Sequence, residues 1–185
     1  MKIDFKKLKL HLKTINAHKR MVRKWCFKMG IPIQGLLHDM SKYSLKELSI
    51  YKYYTGVKSP HDTARKELGY SPSWYHHKCR NKHHWEYWVD SIYDKTAVKM
   101  PYKYVIEMFC DNVGAGHVYN KEKWEPYMML EYNKTQDPKR IMNKDSLNLY
   151  NFLCDKINEL GEVQFVKWYK KNKKEIKKKY ERGEI

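Results

Sequence analysis

Gly35-Leu36-Leu37-His38-Asp39-Met40-Ser41-Lys42 is the stretch on which the reading of this chain turns. An adjacent His-Asp pair at the end of an apolar turn puts two polar tips where the flanking leucines would exclude water, and buried polar groups need partners. A divalent cation satisfies both, because imidazole nitrogen and carboxylate oxygen can share one coordination sphere. A capped helix end with a hydrogen-bonded histidine is the competing account. Before the pair, Leu8, Leu12, Ile15, Val22, Trp25 and Met29 recur at helical steps and predict a helix from Phe5 to Met29, ended by Gly30-Ile31-Pro32. His18 lies on that apolar face, with His11 as its competitor on nearly the same stripe. A second helix, Gln34 to about Met40, carries the His-Asp pair.

Downstream the chain reads as helix almost throughout, so the fold class is all-α. Ser44 with Glu47 three residues on forms a capping box for a helix through about Tyr54. Residues 56–69 read as a loop. Ser71-Pro72 opens a helix broken near Arg80-Asn81, and another begins at His83 and reaches about Asp90. A polar connection over 90–99 leads to a helix from Pro101 to about Tyr119, with Met108, Ala115 and Val118 on its inner stripe. Residues 124–138 are weakly patterned. Asp145 or Ser146 caps a helix that runs to Leu160 and is ended by Gly161. The last helix, Glu162 to about Glu181, sets Phe165, Trp168, Ile176 and Tyr180 on one side. No flexible linker divides the chain, which predicts one domain over 1–185 with a lysine-rich C-terminal helix over 162–185.

The 185 residues are 42% apolar and 15% aromatic, enough for a sizeable core despite 32% charged content. No apolar run approaches the roughly 18–20 residues that cross a bilayer, and no export signal is visible, so a cytoplasmic protein without a membrane partner is expected. Cys26, Cys79, Cys110 and Cys154 are too scattered for a ribbon-type zinc site and read as buried thiols. The net charge of +17 favours anionic partners: nucleic acid, nucleotides or phosphorylated metabolites. Eight lysines fall within 167–179, a run that reads as a solvated helix face or a nucleic-acid contact.

Two further features carry chemistry. Asp111 falls among apolar residues, where an unpaired carboxylate needs a cation, either a metal ion or a basic side chain. His76-His77 and His83-His84 hold four of the nine histidines. Neighbours on a helix point about 100° apart, so one histidine of each pair is expected to face inward, His77 and His83 in preference.

His18, His38-Asp39 and Asp111 form an H…HD…D series with gaps of 20 and 72 residues. With the apolar run before the pair and Lys42 three residues after it, the series resembles the HD-domain superfamily of metal-dependent phosphohydrolases over Lys13 to about Tyr119. That resemblance implies an HD-domain-like helical bundle with a metal site between core helices. It also implies that further histidines between the pair and the last aspartate bind a second ion in two-metal members. A closer similarity is to a small family of bacterial and phage proteins of unknown function. It rests on His38-Asp39-x-Ser41-Lys42-Tyr43, Lys52-Tyr53-Tyr54, Gly69-Tyr70-Ser71, His76-His77 and Asn81-Lys82-His83-His84-Trp85-Glu86-Tyr87-Trp88.

The expected function is therefore phosphoester hydrolysis, on a nucleotide or related small phosphate ester. One or two divalent ions (Mn, Fe, Mg, Ni or Zn) would be held by His18, His38, Asp39, Asp111, His77 and His83 and would activate water. Lys42 would offset phosphate charge, and Glu47 would act as general base or as an outer partner of a ligand. Arg80, Asn81, Lys82 and His84 are candidate substrate contacts. Tyr53, Tyr54, Tyr70, Trp74, Trp85 and Trp88 either stack on a base or pack the core. Two alternatives are a di-iron oxygenase, favoured by six ligands around two irons where four around one metal favour hydrolysis, and a basic nucleic-acid-binding or regulatory protein with a structural metal site.

Overall fold

A computed structural model describes residues 3–56, 59–90 and 96–185, and Asp137 by its backbone alone. Helix α1 (Phe5–Met29) runs as its periodicity predicts. Asp4 caps it by accepting from the Lys7 amide at 3.0 Å, and Gly30 at φ 77° closes it in the left-handed conformation that glycine adopts at no steric cost. Pro32 then starts α2 (Pro32–Leu37), its missing N–H falling where a first-turn donor is unpaired anyway.

Helix α2 is shorter than the sequence suggested. His38 is extended, with ψ 128°, and Asp39 sits at φ 53°, so the pair lies on the sharp exit from α2 and not within it. Asp39 has a left-handed backbone that L-residues rarely adopt, and such positions persist where surrounding structure holds them. The flanking apolar residues also point the other way: Ile33, Leu36, Leu37 and Met40 are exposed, while His38 and Asp39 are each 1% exposed. The turn, not a leucine sheath, is what drives the pair inward.

After a 3-10 turn, Met40–Tyr43, comes α3 (Leu45–Leu48), whose Ser44 cap accepts from the Glu47 amide at 3.4 Å. The chain continues as a 3-10 turn over Ser49–Tyr53. Residues 56–69, expected as a loop, contain α4 (Pro60–Leu68), with Pro60 at its first position, Ala64 wholly buried and Gly69 at φ 77° closing it. One buried face position per turn is too weak a periodicity to read from sequence. The Ser71 cap of α5 (Pro72–Lys78) accepts from the Trp74 amide at 3.3 Å, as expected.

No α-helix starts at His83. Local turns close through His84 N to Asn81 O at 3.0 Å and Tyr87 N to His84 O at 3.1 Å, and a 3-10 turn covers Trp85–Trp88. Val89–Asp90 (β1) then pairs antiparallel with Thr96–Ala97 (β2). Residues 91–95 of the expected polar connection lie outside the described residues. Helix α6 (Tyr102–Asn120) follows Pro101, and the weakly patterned stretch holds α7 (Tyr127–Gln136), whose Met129 and Asn133 are buried one turn apart. Helix α8 (Lys144–Arg182) is interrupted at Gly161, with φ 67° and ψ 161°, where the sequence placed a helix end. Its cap is Asn143, which accepts from the Asp145 amide at 3.1 Å. Ser146, expected as a cap, is instead fully buried, where its Oγ accepts from the Met100 amide at 2.9 Å.

The architecture is a helical bundle with a core shared by α1, α6 and α8. Val22, Trp25 and Met29 meet Val105, Ile106, Phe109 and Val113, and α8 adds Leu149, Leu153, Ile157 and Phe165, all at most 1% exposed. Gly114 allows α1 and α6 to touch: a Cβ there would lie 2.6 Å from Val22 Cγ2. Ala115 and Val118, expected on the inner stripe, are half-buried. Cys26, Cys110 and Cys154 are buried thiols, whereas Cys79 is exposed at the end of α5. Beyond Gly161, Phe165, Tyr169, Ile176 and Tyr180 dock on the bundle, Trp168 is half-buried, and the lysines of 167–179 are exposed except Lys173, which is half-buried near Gly30. Among the described residues, no helix is long and apolar enough to cross a membrane.

Candidate metal centre

Five segments of the chain deliver one cluster of imidazoles and carboxylates. His18 projects from α1 seven residues after His11, His38-Asp39 comes from the α2 exit, and Asp111 lies one turn after Glu107 on α6. His77 points in from the last turn of α5, and His83 and His84 come from the turn that follows it. His18, His38, Asp39 and Asp111 form one group and Asp39, His77, His83 and His84 another, with potential ligand atoms within 4.8 Å of one another in each.

Asp39 belongs to both groups and divides its oxygens between them. Oδ2 lies 3.3 Å from His38 Nε2 and 3.6 Å from His18 Nε2, while Oδ1 lies 3.2 Å from His77 Nε2 and 3.5 Å from His83 Nε2. Asp111 Oδ1 closes the first group at 2.9 Å from His18 Nε2 and 3.2 Å from His38 Nε2. Yet His18, His38, His83 and His84 Nε2 and Asp39 Oδ1 are buried without a hydrogen bond, and Asp39 Oδ2 is met by the Lys42 ammonium. Buried polar atoms left in this state are costly, and their convergence from α1, the α2 exit and the turn after α5 fits a site shaped for cations.

A second layer aims the imidazoles. Glu107 Oε1 lies 2.9 Å from His38 Nδ1 and 3.2 Å from His83 Nδ1. Glu47 engages His76 Nδ1 through Oε1 and His77 Nδ1 through Oε2, each at 2.7 Å. An imidazole that donates Nδ1–H backwards presents its Nε2 lone pair forwards, the arrangement of metal-ligating histidines. Asn81 braces the same corner, donating from Nδ2 to Ser41 Oγ and to the His77 carbonyl, each at 2.8 Å.

Charge follows the geometry. Burial pushes the Asp39 carboxyl up, but His38, Lys42 and His77 beside it hold it well below the ordinary carboxylate range. Burial likewise works against the charge on Asp111, and His18 and His38 overcome it. His38 is itself raised well above an ordinary histidine, burial being outweighed by Asp39, Asp111 and Glu107. Lys42 Nζ reaches Asp39 Oδ2 at 2.5 Å, and despite burial its pKa is raised by Asp39 and Asp111. His84 is lowered well below the ordinary value by burial and by the neighbouring His83 and His77, which keeps it neutral.

The cluster opens on a cavity of about 1000 Å³ between α1, α6 and the α4–α5 and α7 sides. His18, Lys42, Asp111, His77, His83 and His84 all line it, and its wall carries Arg65, Lys139 and Arg140 together with Glu47, Asp62 and Glu86. Trp74, Trp85, Tyr119, Trp124 and Tyr132 line it too, of which only Trp74 and Trp85 were among the sequence candidates for stacking; Tyr54 also lines it, and Tyr53, Tyr70 and Trp88 do not.

The sequence-predicted residues thus divide. His18, His38, Asp39, Asp111, His77 and His83 are brought together. His84, expected at the substrate, joins the second group instead, because His83-His84 lies on a turn and not on a helix, so neighbouring side chains are free to converge; their ring centroids are 4.3 Å apart. The helical argument does hold for the other pair: His77 turns in, and His76 is held aside by Glu47 and by Arg80 Nε at 2.7 Å. Both Glu47 oxygens are engaged by imidazoles, the position of an outer partner and not of a free general base. Arg80, Asn81 and Lys82 do not line the cavity; Lys82 Nζ lies over the Tyr87 and Tyr104 rings. His11 stays outside the cluster and tilts against Tyr54 with ring centroids at 5.3 Å. Glu107 was not singled out by sequence, although its place one helical turn before Asp111 puts it on the same face.

No curated protein and no solved structure matches the chain. A family described as a family of unknown function (DUF5662) matches residues 7–156, which hold every residue of the cluster and end just before the Gly161 break in α8. Over that span, most of its length, the chain belongs to this family.

Proposed function

We propose that this protein is a metal-dependent phosphohydrolase of the HD type, a phosphomonoesterase or phosphodiesterase acting on a nucleotide or related small phosphate ester. One observation carries the reading: His18, His38, Asp39 and Asp111 converge as one four-residue set beside the Lys42 ammonium, and His18, Asp111 and Lys42 line the cavity next to it. The first ion would be held by His18, His38, Asp39 and Asp111, and a second by Asp39, His77, His83 and His84. A divalent ion supplies a Lewis acid for a phosphoryl oxygen and a water whose pKa falls to near neutrality. The chain's own groups do the rest. Glu107 and Glu47 hold three imidazoles of the two ion groups, His38, His83 and His77, by their Nδ1 atoms. Lys42, Arg65 and Arg140 bring positive charge to the cavity that a phosphate ester must enter. Trp74 and Trp85 offer ring surface to a base.

The test is metal analysis of purified wild type beside Asp111→Ala, then a screen with p-nitrophenyl phosphate, bis(p-nitrophenyl) phosphate and a nucleotide panel in the retained metal. Bound metal in the wild type, with turnover that Asp39→Ala abolishes, is the expected result. Turnover that survives Asp39→Ala, or a wild type that takes up no divalent ion, overturns the reading.

A second reading, a di-iron oxygenase on the same scaffold, is favoured by the size of the donor set, seven residues of which five are histidines. Oxygen consumption by iron-loaded protein, with no phosphoester turnover, selects it. The outward lysines of α8 also admit a nucleic-acid partner. Binding that disappears with salt but survives His38→Ala and Asp39→Ala would mark a contact independent of the metal centre.

A further inference from the structure

We infer that Glu107 is a positioning residue that links the two candidate ion positions, so that their affinities fall together when its carboxylate is lost. The inference rests on the metal reading proposed above and concerns how the two positions communicate. A single oxygen, Oε1, serves His38 Nδ1 at 2.9 Å and His83 Nδ1 at 3.2 Å. Those histidines belong to different groups, His38 to that of Asp111 and His83 to that of His77 and His84. Their rings lie 4.4 Å apart between centroids, and their Nε2 atoms are both buried without a hydrogen bond. His38, His83 and Glu107 themselves converge as a third set.

The cluster is therefore bridged twice. Asp39 joins the two groups on the ligand side, through Oδ2 to one and Oδ1 to the other. Glu107 joins them from behind, through the N–H groups that fix each imidazole's tautomer and direction. Glu107 is 5% exposed, and burial alone would push its carboxyl up, but His38 and His83 hold it low and anionic. An ion that orients His38 pulls on the oxygen that also orients His83, and linkage requires the effect to be reciprocal. Glu47 supplies an internal contrast: its two oxygens hold His76 and His77, and only His77 belongs to a candidate ion group.

The experiment titrates Mn²⁺ and Zn²⁺ separately into the chelator-treated full chain by calorimetry, with bound ions counted by elemental analysis. Wild type, Glu107→Gln and Glu47→Gln are compared, and circular dichroism verifies folding. Wild type is expected to bind two ions. Glu107→Gln should weaken both positions, each by about 10–100-fold. Glu47→Gln should weaken one and leave the other at wild-type affinity. If Glu107→Gln does not fold, Glu107→Asp keeps the charge but withdraws it by one methylene, and a parallel loss at both positions is again expected. A Glu107 variant that weakens only one position, or neither, overturns the linkage while the metal reading stands. A wild type that binds a single ion does the same. A wild type that binds none brings down the metal reading itself, a result separate from any Glu107 variant.

Discussion

Helices α1 and α6 each have two sides, and the two sides are built on opposite rules. Toward α8 they present Val22, Trp25, Val105 and Phe109 to a dry core with the apolar groups fully buried. Toward α5 and the cavity the same helices present His18, Glu107 and Asp111. Among the described residues, the buried side-chain nitrogens and oxygens that lack a hydrogen bond lie on the cavity side, Asn151 on α8 excepted. One side is apolar and closed; the other holds buried polar atoms, several of them without a hydrogen bond. Natural proteins retain such departures chiefly where function requires them, and the contrast locates the site without any motif.

The largest expected effect breaks the polar side. Asp39→Asn takes the shared carboxylate from both groups and should reduce phosphoester turnover at least about 10³-fold, the range of a lost catalytic group. Core variants must leave the metal response intact. Saturating Mn²⁺ at about 100 times its Kd should raise wild-type stability by about 2.7 kcal/mol for each ion bound, a gain kept by core variants and lost in Asp39→Asn, measured by thermal denaturation with and without chelator.

The dry side should break differently. Phe109→Ala is expected to cost about 3–5 kcal/mol in a urea melt, because it empties a site against Trp25 and Phe165, while residual metal binding keeps its stoichiometry. A pH series sharpens the comparison further. Burial, with Lys42 and, for His61, Arg65 nearby, lowers His11 to about 4 and His61 to about 3. Both are neutral when folded and accept protons more readily when unfolded, so stability is full above about pH 6.5 and is lost as pH falls toward the folded values. Each contributes on the order of 3 kcal/mol to that slope, and His11→Phe should flatten it in denaturant melts at pH 4.5–7. A close approach gives a smaller effect. At Gly35 a Cβ would lie 2.7 Å from Cys26 Cβ, so Gly35→Ala should shift α2 and cost about 1–3 kcal/mol. The smallest change is expected at the exposed Lys171 and Lys174, where substitution by Gln should move stability by less than about 0.5 kcal/mol.

How much of this could be read from the chain alone depends on what each feature requires. Helix α1 was legible because helical period and apolar burial coincide in it, and α6 from its length and its Pro101 start, although its burial runs through 105–110 without a stripe. Short α4 and α7 were not, since each buries too few side chains to leave a pattern. That only one of His76 and His77 turns inward was legible because both lie on a helix, where neighbours diverge, but which one does was fixed by packing. The same rule failed at His83-His84, where the backbone leaves the helix and both rings reach the cluster. Exposed Leu36 and Leu37 misled in another way: the apolar run marks the turn, but Asp39's left-handed backbone and not their burial sends the pair inward.

The sequence by itself determined that the chain is helical and strongly basic, because periodicity and charge are properties of the string, while the grouping of His18, His38, Asp39 and Asp111 came from the resemblance of their series to a known pattern. Only the tertiary structure decided that Asp39 faces two groups at once, that His84 joins them and that Glu107 stands behind both. Those facts depend on distances between segments separated by tens of residues, which no local pattern encodes and which packing of α1, α6 and the α5 turn fixes.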